Sequence, residues 1–191
     1  LMIPQRALMG GWAMGIPALY LLISSSREKS MRQTVLLALW AGALPLVHTH
    51  TFLALGLFSG GYILGRLIVQ KEERSGILAR AGVYLGIVLA LALPQVLGNA
   101  VRQTLEGGAL RFQFNWVNNS GGRGFKDGYF WFWVKNAGLP FILVVCACLN
   151  AGRRGHLDLV LGMTAIYAVA ETILFQPNEY DNNKLFYIWF M

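Results

Sequence analysis

Charge is in short supply in this chain: charged residues make up 13% of its 191 positions, with 9 carboxylates against 16 lysines and arginines. So little charge beside 55% hydrophobic residues lies outside the soluble range and excludes an ordinary water-facing domain. Cysteine is nearly absent. Cys146 and Cys148 stand two apart in an apolar run, which fits neither a disulfide framework nor metal-ligand spacing; buried, reduced thiols on different helix faces are expected. Strand-like alternation is missing from the apolar runs, which excludes a membrane β-barrel.

What the chain does have is a series of long runs rich in Leu, Ala, Ile and Gly, separated by polar gaps. In hydrocarbon every backbone polar group must be satisfied internally, so such runs become helices of about 20 residues. The pattern predicts an all-α, polytopic transmembrane bundle forming a single domain over 1–191. Six complete spans are expected at about 7–23, 34–47, 52–70, 77–97, 129–149 and 157–175, the fifth bent at Pro140. The run 185–191 reads as a truncated seventh. The chain opens on Leu1 and stops inside an apolar run, which reads as a fragment of a larger protein.

Lysine and arginine cluster in every second gap. Arg27, Lys29, Arg32, Lys71, Arg74, Arg80, Arg153 and Arg154 flank the gaps 24–33, 71–76 and 152–156, which the positive-inside rule assigns to the cytoplasm. The segments 48–51, 99–128 and 176–184 then lie outside, and a prokaryotic plasma membrane is the expected location. Because the basic charge reads as topology, the bilayer is the expected partner and nucleic acid is not. Trp131, Trp133, Tyr187 and Trp189 read as interface anchors. Four glycine pairs at four-residue spacing (11 and 15, 56 and 60, 61 and 65, 82 and 86) suit close helix packing, within the chain or in an oligomer.

The polar residues that solvation does not explain fall on the outer side. His48 and His50, after Pro45, suit a metal, a phosphate contact or a proton relay, or simply a helix end. The stretch 176–184 carries Glu179, Asp181, Asn182 and Lys184; Asp181 or Asn182 can cap the following helix, and Lys184 adds charge where anions collect. Glu171 lies inside a span, with Lys135 and Arg6 as candidate partners. The glycine-rich 118–128 stretch lacks Walker spacing and reads as a loose loop or a mobile lid, and residues 118–120 match a glycosylation acceptor.

Four motifs occur in order: Pro4-Gln5-Arg6, PLVHTHTF at 45–52, WFWVKNAGLPF at 131–141, and FQPNEYDNNKLFYIW at 175–189. Together they resemble a group of prokaryotic multi-pass membrane proteins similar to GT-C-type glycosyltransferases, the class that includes protein O-mannosyltransferases and aminoarabinose transferases. The resemblance implies transfer of a sugar from a polyprenyl-phosphate donor on the outer face, with Arg6, His48, His50, Glu179, Asp181, Asn182 and Lys184 lining the cavity. His50 and Asp181 are the candidate catalytic residues. That class also uses an acidic residue in a first outer loop, which this chain does not contain. A divalent cation, Mg or Mn, held by His48, Asp181 and Glu179, is a candidate cofactor. A transporter or channel subunit and a non-catalytic scaffold are the alternatives.

Overall fold

A computed structural model describes residues 6–101, 110–119, 124–153, 155–175 and 179–190, by backbone alone at 6, 99–101, 152–153 and 179–181. Within them the chain is all-α apart from one two-residue strand pair. Eight α-helices are present among the described residues: α1 Arg6–Arg27, α2 Met31–Ala43, α3 Thr49–Val69, α4 Arg74–Gln95, α5 Tyr129–Ala137, α6 Leu139–Arg153, α7 Leu157–Thr172 and α8 Glu179–Phe190.

Three of them are long and apolar enough to cross a membrane: α1, α3, and α4 with its flanking turns; α5 and α6 would add a fourth if counted as one bent span. By length and composition, the described residues thus support three or four of the six spans expected. Helix α2 has 13 residues, α7 has 16 and α8 has 12. At 1.5 Å per residue, 13 residues rise only about 20 Å against a hydrocarbon core of about 30 Å. Apolar residues around these helices go into other shapes: Leu44–Leu46 forms a 3-10 turn, and Ile173–Leu174 is extended.

Local chemistry sets the breaks. Lys29 adopts the left-handed conformation at φ 56°, which ends the first helical hairpin arm, and Ser30 caps α2 by accepting from Gln33 N. The bend expected at Pro140 is a break at Gly138, where φ is 65° and ψ −148°, a conformation that favours glycine. Pro140 falls in the first turn of α6, where its missing N–H costs nothing. The two helices meet at 115°. Pro94 sits in the last turn of α4, which then widens into a π-type turn over Val96–Val101.

Helices α3 and α7 form the most extensive pair and run antiparallel, since Gly65 faces Asp158 and Gly61 faces Leu161. Their contact is backbone on backbone. A Cβ on Gly61 would stand 2.6 Å from Leu161 C, and one on Gly65 2.6 Å from Asp158 N. Gly11 and Gly15 similarly admit Thr51 and His48 of α3. Gly56, Gly60, Gly82 and Gly86 face open space, so two of the four pairs serve packing within the chain. Leu78, Leu85, Leu89 and Leu93 are exposed along one side of α4, the surface of a helix that faces lipid.

The two ends of the bundle differ. At one, Lys29 pairs with Glu73 at 2.9 Å and Arg66 approaches Asp158 at 3.9 Å. At the other lie the starts of α3 and α8 and the end of α7; we call it the histidine end. Among the expected interface anchors, Trp131 is exposed, but Trp133 and Trp189 are buried at 7% and 6% exposure and pack with Tyr167 and Phe186. Cys146 is exposed and Cys148 half-buried, both free; the thiols thus lie on the outward side of α6 and not in the core.

Candidate functional site at the histidine end

His48 begins α3 as its N-cap, with extended backbone at φ −158° and ψ 103°. Its Nδ1 accepts from Thr51 N at 3.3 Å and lies 2.8 Å from the Thr51 hydroxyl. An imidazole that accepts at Nδ1 carries its proton on Nε2, so neutral His48 offers an N–H donor there. The side chain is 7% exposed. Burial, and secondarily the positive charge of Lys184, hold its pKa below the ordinary 6.5. His50, in the first turn of α3, sets its ring 5.6 Å from that of His48 at a tilt of 34°. The pair sits together because one residue lies before the helix and the other inside it.

Lys184 in α8 is therefore brought into electrostatic range of α3, across the end of the bundle. Asn182 is 1% exposed, and its Oδ1 accepts from Phe175 N at 2.7 Å. It fastens the start of α8 to the extended segment before it, a role distinct from the N-cap expected for it. Glu179 and Asp181 lie in the first turn of α8. Their side chains, and that of Arg6 at the start of α1, fall outside the described residues, as do 176–178. The expected metal set of His48, Asp181 and Glu179 falls partly there as well. His48 could join it only through Nε2, since Thr51 occupies Nδ1. Among the described residues no group of three or more His, Cys, Asp or Glu side chains converges.

Glu171 lies at the end of α7 that packs beside these residues. It is 2% exposed, and among the described residues neither carboxylate oxygen has a hydrogen-bond partner. The expected partner Lys135 is engaged elsewhere, bonding both oxygens of Asp127 at 2.8 and 3.1 Å. The two share neighbouring turns, whereas reaching Glu171 would take an exposed ammonium into the core. Around Glu171 stand Tyr129 and Trp133, and the Tyr129 hydroxyl meets that of Tyr167 at 2.6 Å. Trp133 Nε1 is also buried, with no hydrogen-bond partner among the described residues.

The segment just before the glycine-rich stretch is tied to the end of α7. Arg111–Phe112 pairs antiparallel with Ile173–Leu174, Gln113 N donates to Thr172 O at 2.8 Å, and Asn115 N to Glu171 O at 3.1 Å. Trp116, 2% exposed, donates Nε1 to Ala170 O at 2.8 Å. These bonds take up carbonyls that the end of α7 would leave open. Asn118 is fully buried, with its amide bonded both ways to the Asp127 backbone at 2.8 and 3.2 Å. In the fold the glycosylation match is closed off. Residues 120–123, with the central glycines, lie outside the described part. Trp116 and Asn115 were not among the expected site residues; the signal in the sequence was the alternation of Leu110, Phe112, Phe114 and Trp116 with polar residues, a strand-like pattern inside the polar stretch.

Comparison with protein-family models, with curated proteins and with solved structures finds no match.

Proposed function

We propose that this chain is part of a GT-C-like glycosyltransferase that takes a sugar from a polyprenyl-phosphate donor at the histidine end. The observation that supports it is the meeting of His48, His50 and Lys184 at one end of the bundle, at the level where a lipid-linked phosphate would lie. Lys184 supplies fixed positive charge for the phosphate, and neutral His48 supplies a neutral N–H donor. His48 is unsuited to act as base, because Thr51 occupies its one free lone pair. That leaves His50, with Asp181 as the second candidate, to accept the acceptor hydroxyl's proton. The hydroxyl oxygen bonds to the anomeric carbon as the bond from that carbon to the phosphate oxygen breaks, and polyprenyl phosphate leaves.

The transporter reading fits less well. Among the described residues, the α3–α7 seam between the two ends is closed by glycine-to-backbone contacts and by Phe58 against Gly162, groups that offer no ionisable side chain to a path. The test is transfer from a radiolabelled polyprenyl-phosphate sugar by the protein in proteoliposomes. His50→Ala and Asp181→Asn should each reduce transfer by about 10² or more, and Lys184→Gln should raise the KM for the donor. Undiminished transfer by all three variants removes the proposed site.

A further inference from the structure

At the end of the bundle opposite the histidines, a recess of about 710 Å³ opens between the end of α1, the turn into α2 and the α3–α4 junction. Its lining includes four cations, Arg27, Lys29, Arg66 and Lys71, and two carboxylates, Glu72 and Glu73. Glu73 is already spoken for: Lys29 stands 2.9 Å from one of its oxygens and Arg80 2.9 Å from the other. Arg66 is under-used. Its side chain is 12% exposed, its Nη2 donates to Ser26 O at 3.2 Å, and its Nη1 is 3.9 Å from Asp158, beyond hydrogen-bond reach. Among the described residues its buried Nε has no acceptor, and Gln70 Oε1, on the same recess, has no donor.

A guanidinium held out of water with donors to spare is costly unless an anion completes it. Arginine's planar fork matches phosphate oxygens, and Lys29 and Lys71 add charge around the rim. The recess also lies at helix ends that the basic gaps assign to the cytoplasmic surface, where anionic lipids concentrate. We propose that this recess binds a phosphate group, either that of an anionic lipid headgroup or that of a soluble phosphate compound. The proposal involves no residue of the histidine end and does not rest on the glycosyl-transfer reading.

The test is native mass spectrometry of the purified protein titrated with phosphatidylglycerol, with phosphatidylcholine, and with inorganic phosphate as competitor. One phosphatidylglycerol should bind at least tenfold more tightly than phosphatidylcholine. Arg27→Gln and Lys71→Gln should each weaken it about fivefold, the effect of one cation at a membrane surface. Glu72→Gln should strengthen it, a change that a purely structural role would not produce. All three positions are exposed, so these variants keep the fold even where Arg66→Gln does not. Displacement by millimolar inorganic phosphate assigns the site to soluble phosphates, and resistance assigns it to lipid. Equal binding of the two lipids without competition by phosphate, or binding unchanged in all three variants, overturns the proposal.

Discussion

Replacing Gly61 or Gly65 by alanine should strike the bundle where its two longest-contacting helices meet. At Gly61 an added Cβ stands 2.6 Å from Leu161 C and 2.8 Å from Gly162 N; at Gly65 it stands 2.6 Å from Asp158 N. Ordinary contact begins at 3.4 Å, so backbone atoms of α7 must retreat by at least 0.8 Å. Backbone has no rotamer to give way, and overpacking of this kind costs about 1–3 kcal/mol per site. The two sites share one interface, so their costs should not add. For a chain of this size, about 2–4 °C per kcal/mol predicts a melting temperature lower by about 2–12 °C for each variant. Gly56→Ala and Gly60→Ala, on the same helix with nothing within 4 Å, should be neutral or stabilising by up to about 1 kcal/mol, since alanine favours helix. Thermal unfolding in detergent micelles, followed by circular dichroism, measures all four. If Gly56→Ala loses as much as Gly61→Ala, the α3–α7 crossing is not as close as described.

His48, held below its ordinary pKa, stays neutral in the fold at pH values where the unfolded chain is protonated. Above pH 6.5 neither state carries the proton and the residue costs nothing; as pH falls through 6.5 the unfolded state gains a proton the fold refuses, and stability declines until the folded value is passed. NMR titration of labelled histidine should show this, and Lys184→Gln should move the His48 titration upward; no movement would place Lys184 too far away. Glu171→Gln should leave the fold intact, because the amide keeps the shape without a charge to bury; unfolding of that variant in a melting assay would reveal an ionic partner for the carboxylate. Trp116→Phe, which deletes the bond to Ala170 O, should cost about 0.5–1.5 kcal/mol and speed proteolysis of the segment before α5. An unchanged cleavage rate would show that the segment is held by other bonds.

The class of fold was readable from Leu, Ala and Ile runs broken by basic gaps, because lipid burial acts on composition. Span count was not: hydropathy treats Leu44–Leu46 and Ile173–Leu174 as helix, whereas the backbone spends them on a 3-10 turn and a strand pair. Gly138 was hidden behind Pro140, since a break by positive φ leaves less mark on a sequence than a proline. Which glycine pairs meet a neighbour depends on helix rotation, so 61 and 65 looked no different from 56 and 60. At the candidate site, the adjacency of His48 and His50 was legible from their two-residue spacing after Pro45. Lys135 was misjudged because Asp127, eight residues earlier, lies within reach only once the Gly128 turn is formed. Trp116 and Asn182 bond to backbone carbonyl and amide groups, partners that no side-chain pattern announces.

The clasp of residues 111–116 on the last turn of α7 and the extended pair after it joins partners that lie 54 to 63 positions apart along the chain. A segment leaving the ribosome early must therefore wait until the later helix has been inserted, and this end of the molecule is assembled after the rest. Its maturation is paced by translation and membrane insertion. A stalled or shortened chain ending before residue 170 would keep Trp116 and the Gln113 and Asn115 amides without their acceptors, a ready signal for quality control.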